Sequence, residues 1–409
     1  MKPIVLFLFI ASSFASAQWE QTNLSSTSHI SEFALRGTAL FVATYGDGFF
    51  RTTVSGDAWA TLNNGLTNKT LTSIALADSS LFFVGAWPGG VYRSTNAGSN
   101  WFAMNSGLTN TNVQSVIAIH DSSSGNFTLL AGTFNGGIFR STNLGSNWSA
   151  SNTGLTNLVV YTFMMTPHGI FAGTDSGAFV SVDTGKTWSA AGLSGKVVRV
   201  FALSDSGLFA GSADTSGGVY RSINYGGTWE RIDSTLPSKN VWAVAMTENI
   251  ILAGTIGGGI YRSSDQGVTW TGFNTGITSA NVQALIFDNR SGYVFAGTDH
   301  VGVWRRPISE IIAAVHEASA TPAFHRLFQN YPNPFNPSTT IRFAIARAEN
   351  VELKVYDVRG RLVVILFDEW KDPGQYTAQW NTESMPSGAY FIRLTAGQFT
   401  QTQKMLLLK

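Results

Sequence analysis

Apolar and polar positions alternate along this chain in short runs, each bounded by glycine, asparagine or serine. One run covers residues 112–119, and a second covers 127–133. A glycine pair at 136–137 separates the second run from a third at 138–141, and a fourth begins at Trp148. The 3.6-residue period of an amphipathic helix is missing, so the pattern predicts four short antiparallel strands joined by hairpins.

This four-strand pattern returns about every 40 residues. The copies end in a turn of the form Ser-x-Asp/Asn-x-Gly-x-Thr/Asn, followed by a tryptophan at Trp59, Trp101, Trp148, Trp188, Trp229 and Trp270. The intervals between these tryptophans are 42, 47, 40, 41 and 41 residues. Such a period with four strands in each unit is typical of β-propeller blades, so the fold class is predicted to be all-β.

Hairpins between the second and third strands predict the number of blades. Seven are found, at 41–52, 82–94, 129–141, 170–181, 208–222, 251–263 and 294–306. The seventh lacks a tryptophan turn of its own, but Trp19 lies 40 residues before Trp59. We therefore expect residues 18–20 to form the outer strand of the last blade and to close a seven-bladed ring.

The chain is predicted to divide into four segments. Residues 1–17 have the charged start, apolar run and small-residue cleavage pattern of a secretory signal peptide. The propeller is expected at 18–306 and a linker at 307–326. Residues 327–409 begin with a proline-rich stretch and continue with six alternating strands, which predicts a small Ig-like β-sandwich.

Composition narrows the choice of partners. Lys and Arg total 26 against 25 acidic residues, which argues against a nucleic-acid ligand, and there is no cysteine. No segment after the signal peptide has about 18 consecutive apolar residues, so no transmembrane segment is predicted. The histidines lack metal-ligand spacing and no glycine loop suits a phosphate, so neither metal nor cofactor is expected.

The tryptophan turns resemble the Asp-box, or bacterial neuraminidase repeat. The acceptor positions of that repeat are occupied by Asn96, Asn143, Asp183, Asn224 and Asp265. Blade one departs from the pattern, because Val54 replaces the acceptor and should weaken its turn. The resemblance implies a propeller but no single activity, since it extends to sialidases, xyloglucan hydrolases, sortilin-type receptors and photosystem assembly factors.

The C-terminal segment closely resembles the sorting domain of the type IX secretion system of Bacteroidota. The matching stretches are 331–341, 354–361, 387–394 and 404–409. The resemblance implies that the type IX machinery exports the folded protein through the periplasm, with cleavage and lipopolysaccharide anchoring as known further steps. The expected location is secreted or on the outer-membrane surface of a Gram-negative bacterium. The alternative is a plain Ig-like adhesion or spacer domain.

The residues that a sialidase or a two-carboxylate glycoside hydrolase would need can be compared with those in the sequence. A sialidase needs three arginines at one substrate, whereas six arginines here share one outward position on the third strands: Arg51, Arg93, Arg140, Arg221, Arg262 and Arg305. A glycoside hydrolase needs two carboxylates. Its candidates are Asp175 and Asp299, with Asp47 and Asp214 at similar hairpins, although aspartate is also common there for turn chemistry.

Three aromatic residues favour a binding function. Tyr45, Trp87 and Phe134 follow the second strand in blades one to three, where they would form an arc suited to sugar rings or an apolar partner. The alternative is that they pack between adjacent hairpins. The sequence therefore predicts a non-catalytic binding module for glycan or protein, with a glycoside hydrolase as the alternative.

Overall fold

The structure is a computed structural model that describes residues 18–24, 28–121, 125–214, 216–247, 250–311, 324–330, 332–383 and 385–408. The predicted signal peptide at 1–17 lies outside the described residues, as does most of the predicted linker at 307–326. The chain divides into two compact units, Met1–Glu310 and Ile311–Lys409.

Within its described residues, the first unit contains seven antiparallel four-stranded sheets, numbered 1 to 7 by their innermost strands. Each innermost strand packs against those of its two neighbours, and the strand of sheet 7 packs against that of sheet 1. The sheets therefore form a closed ring. The innermost strands are β2 (Ile30–Arg36), β6 (Leu71–Leu76), β10 (Val113–His120), β14 (Val160–Thr166), β18 (Val198–Ser204), β22 (Val241–Thr247) and β26 (Val282–Asp288).

The second strands are almost completely buried, because neighbouring sheets cover both of their faces. They are β3 (Ala39–Thr44), β7 (Phe82–Ala86), β11 (Phe127–Thr133), β15 (Gly169–Thr174), β19 (Gly207–Ser212), β23 (Ile250–Thr255) and β27 (Tyr293–Thr298). Six of them have glycine next to their last residue. A Cβ on Gly132 would lie 2.7 Å from Val160 Cγ1, and one on Gly297 would lie 2.5 Å from Ile30 Cβ. These glycines therefore allow the next innermost strand to approach closely.

The third strands lie near the outside of the ring. They are β4 (Gly48–Thr52), β8 (Gly90–Ser94), β12 (Gly137–Ser141), β16 (Gly177–Ser181), β20 (Gly218–Ser222), β24 (Gly259–Ser263) and β28 (Val303–Pro307). The last of these reaches one residue into the predicted linker, and helical backbone follows at 308–311.

The fourth strands are only two residues long. Six of them follow tryptophan turns: β5 (Ala60–Thr61), β9 (Phe102–Ala103), β13 (Ser149–Ala150), β17 (Ser189–Ala190), β21 (Glu230–Arg231) and β25 (Thr271–Gly272). The seventh is β1 (Glu20–Gln21), which pairs with β28 in sheet 7. Trp19 beside it is 1% exposed and donates its indole N–H to the Phe273 carbonyl at 2.8 Å. The predicted closure of the ring by the first described residues is thus confirmed.

The tryptophan turns are held by a repeated set of hydrogen bonds. In the turn before Trp270, Gly267 N–H donates to Ser263 Oγ at 2.8 Å and Thr269 N–H donates to Asp265 Oδ1 at 2.8 Å. Equivalent bonds form at Asn96, Asn143, Asp183 and Asn224. Each of these side chains therefore satisfies backbone donors within its own turn.

The tryptophans then connect one sheet to the next. The Trp148 indole donates to the Met104 carbonyl at 2.7 Å, and four others make the same bond to the preceding sheet. Sheet 1 differs, because the buried Nε1 of Trp59 has no hydrogen-bond partner in the part of the chain that the structure describes, and Val54 is 48% exposed. This turn therefore has fewer hydrogen bonds than the others, in line with the missing acceptor.

The second unit consists of two sheets around one core. Its strands are β29 (Arg326–Leu327), β30 (Ser338–Ile345), β31 (Glu349–Asp357), β32 (Leu362–Lys371), β33 (Gly374–Asn381), β34 (Gly388–Ala396) and β35 (Phe399–Leu407). One sheet has the order β29-β30-β33 and the other β32-β31-β34-β35. Phe343 and Trp380 from the first sheet pack with Leu353, Ile392 and Met405 from the second. The predicted strands thus form, and β29 begins at Arg326, within the predicted linker.

Candidate binding site at the ring axis

A bulge near the start of each innermost strand creates the candidate site. In every one the pairing with the second strand shifts after the first residue, so the second residue is left out of register. Bulges re-aim the side chain that they carry. The residues in this bulge position are Ser31, Thr72, Gln114, Tyr161, Arg199, Trp242 and Gln283.

These seven residues line one cavity of about 220 Å³ at the ring axis, to which all seven innermost strands contribute. The cavity lies at the end of the ring that carries the hairpins between second and third strands, because Val160 pairs with Thr174, the last residue of its neighbouring strand. In sheets 1 and 2 the side chain of the bulge residue hydrogen-bonds to the innermost strand of the next sheet. Ser31 Oγ donates to the Leu71 carbonyl at 2.7 Å, and Thr72 Oγ1 donates to the Val113 carbonyl at 2.9 Å.

Arg199 is the main charged group of this layer. Its guanidinium carbon lies 4.0 Å from the ring centre of Tyr161 and 4.0 Å from that of Trp242. The two aromatic rings come from the neighbouring sheets and hold the cation by cation–π attraction. The buried Nε of Arg199 has no hydrogen-bond partner in the described part of the chain. Burial lowers the pKa of Arg199, an effect that Tyr161 and Asp175 oppose.

The two rings are themselves fixed by hydrogen bonds. The Tyr161 hydroxyl donates to Asp175 Oδ1 at 3.0 Å, and the Trp242 indole donates to Asn240 Oδ1 at 2.8 Å. Burial raises the pKa of Tyr161, whereas the charge of Arg199 lowers it. The guanidinium is therefore positioned by side chains that have partners of their own.

Glu32 lies next to the bulge residue of sheet 1, also in the cavity wall. The equivalent positions in the other sheets carry only small or short side chains: Ser73, Ser115, Thr162, Val200, Ala243 and Ala284. Glu32 Oε2 accepts the Ile74 N–H at 2.7 Å. Burial raises the pKa of Glu32 to about 7, although that hydrogen bond acts in the opposite direction. The carboxyl is therefore mostly neutral in mildly acidic solution.

Two further polar atoms of the cavity wall, Ser73 Oγ and Gln283 Oε1, are buried and have no hydrogen-bond partner among the described residues. Buried polar atoms are nearly always paired, and unpaired ones are costly unless a ligand or water reaches them. Together with the Arg199 Nε, they leave unsatisfied hydrogen-bond donors and acceptors in the cavity wall.

Aromatic and charged side chains also lie at the hairpin end of the ring. The His29 and Tyr45 rings are stacked with their centres 4.5 Å apart, and Tyr45 is 37% exposed. Burial lowers the pKa of His29, Asp299 raises it, and His300 and Arg199 lower it further. Asp299 Oδ1 lies 3.3 Å from His300 Nε2.

The three predicted aromatic residues occupy equivalent backbone positions. Tyr45, Trp87 and Phe134 each donate their backbone N–H to the segment just before an innermost strand. Trp87 and Phe134 meet edge to face, with ring centres 5.2 Å apart. Tyr45 instead stacks on His29, so two of the three contact each other.

The predicted catalytic aspartates lie apart in the ring. Asp175 follows the second strand of sheet 4 and Asp299 that of sheet 7, so two sheets separate them on one side and three on the other. Asp214 accepts hydrogen bonds from Ser212 and Ser216, and the Asp47 N–H donates to Thr44 Oγ1. The bonds of Asp214 and Asp47 are ordinary turn chemistry.

Three of the six third-strand arginines bind the next tryptophan turn. Arg93 donates to the Leu144 carbonyl at 3.1 Å, and Arg140 donates to the Thr184 carbonyl at 3.0 Å. Arg305 donates to the Ser55 carbonyl at 2.8 Å, across the closure of the ring. These three arginines connect neighbouring sheets near the outside, as their shared repeat position predicts.

Sequence reasoning missed Arg199 and Glu32. A signal was present, because a buried apolar residue starts each innermost strand and the next residue varies freely between repeats. That variable position holds Tyr161, Arg199 and Trp242 in three consecutive sheets. Aligning the repeats on the first innermost residue, instead of on the tryptophan, would have revealed it.

No group of three or more His, Asp or Glu side chains among the described residues is arranged to hold a metal ion. No helix in the described part of the chain has the length and apolar character needed to cross a membrane.

Comparison with protein families identifies the second unit. The secretion system C-terminal sorting domain family matches residues 329–408. The C-terminal unit is a secretion sorting domain. It implies that this protein is exported and handled by the type IX secretion system of Bacteroidota. Among curated proteins, none matches the chain.

Solved structures identify the fold of the first unit as that of a β-propeller. YCF48 from Cyanidioschyzon merolae is 18% identical with a TM-score of 0.55, over 72% of this chain and 99% of that chain. YCF48 bound to a D1 peptide is 16% identical with a TM-score of 0.56, over 71% and 96%. A GH74 xyloglucanase from Xanthomonas campestris is 15% identical with a TM-score of 0.58, over 95% and 75%. At these identities the likeness extends to the fold alone.

Proposed function

We propose that this exported propeller is a non-catalytic binding module whose glycan or protein ligand enters the axial cavity from the hairpin end. The observation that carries the proposal is the Arg199 guanidinium, held between Tyr161 and Trp242 with a buried Nε that lacks a partner. A cation fixed in this way is pre-organised for a ligand and needs no ordering when one binds. Tyr45, Trp87 and Phe134 supply the apolar rim of the same site.

The cavity is better suited to binding than to glycoside hydrolysis. A two-carboxylate hydrolase needs an acid and a second carboxylate facing each other across the scissile bond. Glu32 has the raised pKa of an acid, but it is the one carboxyl group in the described wall of the cavity. Asp175 accepts the Tyr161 hydroxyl and so helps to hold Arg199.

A glycoside hydrolase remains the second candidate, because GH74 xyloglucanases share the fold. Protein ligands have a parallel in YCF48, which binds a D1 peptide. The test combines a glycan array with a hydrolase screen on chromogenic glycosides and plant polysaccharides. We expect binding without turnover. Turnover that Asp175→Ala or Asp299→Ala abolishes would establish the hydrolase instead.

The segment boundaries of the chain and its export route are part of the same proposal. We infer a signal peptide at 1–17, a seven-bladed Asp-box propeller at 18–306, a linker at 307–326 and an Ig-like sandwich at 327–409. The seven sheets and their closed packing support the blade count. After export the sandwich is cleaved and the propeller is anchored to surface lipopolysaccharide.

Deletion of residues 327–409 tests this delivery route. The truncated protein should accumulate in the periplasm, while the full chain reaches the cell surface. Surface exposure is measured by protease accessibility in intact cells. Unchanged exposure of the truncated protein would contradict the route.

A further inference from the structure

If the protein binds a ligand as proposed, the side chains of the axial cavity indicate the chemistry of that ligand. Both faces of the Arg199 guanidinium are covered, by Tyr161 on one side and Trp242 on the other. Only the edge of the planar group, where its N–H donors point, is left for a further partner. A carboxylate fits such an edge with two parallel hydrogen bonds, whereas a neutral carbonyl accepts less strongly.

The protein itself does not provide this carboxylate among its described residues. Asp175 is turned toward the Tyr161 hydroxyl at 3.0 Å and acts on Arg199 only through space. Glu32 accepts the Ile74 N–H. Arg199 is partly buried and forms no direct ion pair with a described carboxylate, so an anionic group from outside would be favoured there.

The remaining polar atoms indicate what else the ligand carries. Gln283 Oε1 and Ser73 Oγ are buried in the same wall without partners, and Gln283 Oε1 requires a donor. A carboxylate at a peptide C-terminus brings one amide N–H beside it. A uronic acid in its pyranose form brings several hydroxyl groups on the ring carbons beyond the one that bears the carboxylate. Each hydroxyl both donates and accepts, so the sugar can serve Gln283 Oε1 and Ser73 Oγ while its carboxylate meets the cation.

The size of the cavity limits how much of the ligand enters. Its volume of about 220 Å³ lies below the ~300–1,000 Å³ of pockets that enclose drug-sized molecules. One end group fits better than an internal stretch of chain. The rest of the ligand would cross the rim, where Trp87 and Phe134 meet edge to face.

We propose that the axial cavity binds the terminal uronic acid residue of an acidic glycan, with the uronate carboxylate on the edge of Arg199 and its hydroxyls on Gln283 and Ser73. No bond is made or broken in this step.

The test uses the full mature chain and isothermal titration calorimetry at pH 6 in a buffer without carboxylates. The probes are a galacturonic acid trimer, its methyl ester, a galactose trimer and a glutamate-rich peptide. We expect the acidic trimer to bind at least about 10-fold more tightly than the ester or the neutral trimer, because both lack the charge. Equal affinity for the trimer and its ester would overturn the proposal.

Variants then assign the binding to the cavity. Arg199→Met should weaken binding of the acidic trimer by about 10- to 100-fold, and Gln283→Leu by about 10-fold. Arg93→Met is the matched control, since Arg93 binds a turn carbonyl near the outside of the ring and should leave affinity unchanged. If Arg199→Met does not fold, Arg199→Lys keeps the charge without the two-donor edge and should still lose affinity. An unchanged affinity in the folded Arg199 variant would exclude the site.

Three results separate this inference from the proposed function. Binding of neutral glycans that does not depend on Arg199 would leave the binding module standing and overturn the uronate site. Arg199-dependent binding of the peptide in preference to the trimer would assign an acidic protein as the ligand and overturn the glycan. Absence of any ligand on the array and in the titration would overturn both.

Discussion

The tryptophan turns and the bulges of the innermost strands differ in how much their residues vary from sheet to sheet. At the tryptophan turns, nearly every sheet has the same residues and the same hydrogen bonds, as the turn at Asp265 illustrates. At the bulge of the innermost strand, the residues differ in almost every sheet, and buried polar atoms of the cavity wall remain unpaired. In a ring of repeats, identical positions meet identical environments and therefore serve the fold. Positions that vary meet at the axis, where a single asymmetric site can be built.

The largest effect that tests this comparison concerns a buried tryptophan. Trp148→Ala should lower the free energy of unfolding by about 3–5 kcal/mol, because it removes a 2%-exposed ring and the bond to Met104. Trp59→Ala is the comparison variant and should cost at least about 1 kcal/mol less, since its ring is only half-buried and its indole N–H has no partner among the described residues. Urea unfolding followed by circular dichroism measures both. Equal losses would mean that neither the deeper burial of Trp148 nor its hydrogen bond to the preceding sheet adds to stability.

The next effect concerns the axis and its pH dependence. Glu32 has a pKa of about 7 in the folded protein, against 4.5 as the ordinary value. The folded state therefore holds its proton more tightly, and stability falls as pH rises from 4.5 through 7, by on the order of 3 kcal/mol.

Glu32→Gln should remove this slope. Glutamine can still accept the Ile74 N–H but does not titrate, so the variant should gain on the wild type as pH rises from 4 to 8. His29, whose pKa is lowered by burial, acts in the opposite sense, and its contribution cancels when the two proteins are compared at each pH. A stability difference that stays constant with pH would contradict the buried position of Glu32.

A smaller effect is expected at an acceptor of a tryptophan turn. Although partial desolvation opposes them, hydrogen bonds from Thr187, Ser181 and Lys186 hold the pKa of the Asp183 carboxyl well below its usual range. Asp183→Ala removes these bonds and should cost about 1–2 kcal/mol. Thermal unfolding at pH 7 measures the loss, with Asp183→Asn, which resembles the natural Asn143, as the control that should retain most of the stability. A loss in the asparagine variant as large as in the alanine variant would exclude the acceptor role.

The smallest effect is a gain in sheet 1. Val54→Asn would restore the missing acceptor and let Ala58 N–H donate to it, as Asn147 N–H donates to Asn143. Because Val54 is 48% exposed, little apolar burial is lost, and the variant should gain about 0.5–1 kcal/mol. Val182→Asn is the control, since Val182 is 82% exposed and next to an existing acceptor, so no gain is expected. No gain in either variant would mean that the turn of sheet 1 is already optimal.

Much of the fold followed from the sequence, because it depends on local patterns. The turn serine Ser263 and the acceptor Asp265 bond to backbone groups only four residues further along the chain. The closure by Trp19 was also predictable, since the interval to Trp59 matches the repeat. The linker boundaries were less predictable. Pro307 and Arg326 belong to strands because they pair with Tyr293 and Ala344, and no pattern around either residue reveals this pairing.

The site was only partly predictable. The hairpin residues Tyr45, Trp87 and Phe134 stand out in the sequence at one repeat position, and their role in binding stays a prediction. The sequence alone did not reveal that Tyr45 stacks on His29. Arg199 was overlooked because it lacks any local motif, and its neighbours Tyr161 and Trp242 lie about 40 residues away on either side. Their contact exists only because the ring brings equivalent bulges to one axis.

The sequence by itself determined the strand order, the turns that end six of the sheets, the sharing of the seventh sheet between the two ends of the first unit, and the sorting domain that follows. These features come from spacing and turn chemistry, which are encoded within a few residues or by a constant period. Only the tertiary structure decided which side chains meet in the axial cavity and which of their polar atoms remain unpaired. That outcome depends on seven strands converging at once, and on bulges that turn one residue of each strand toward the centre.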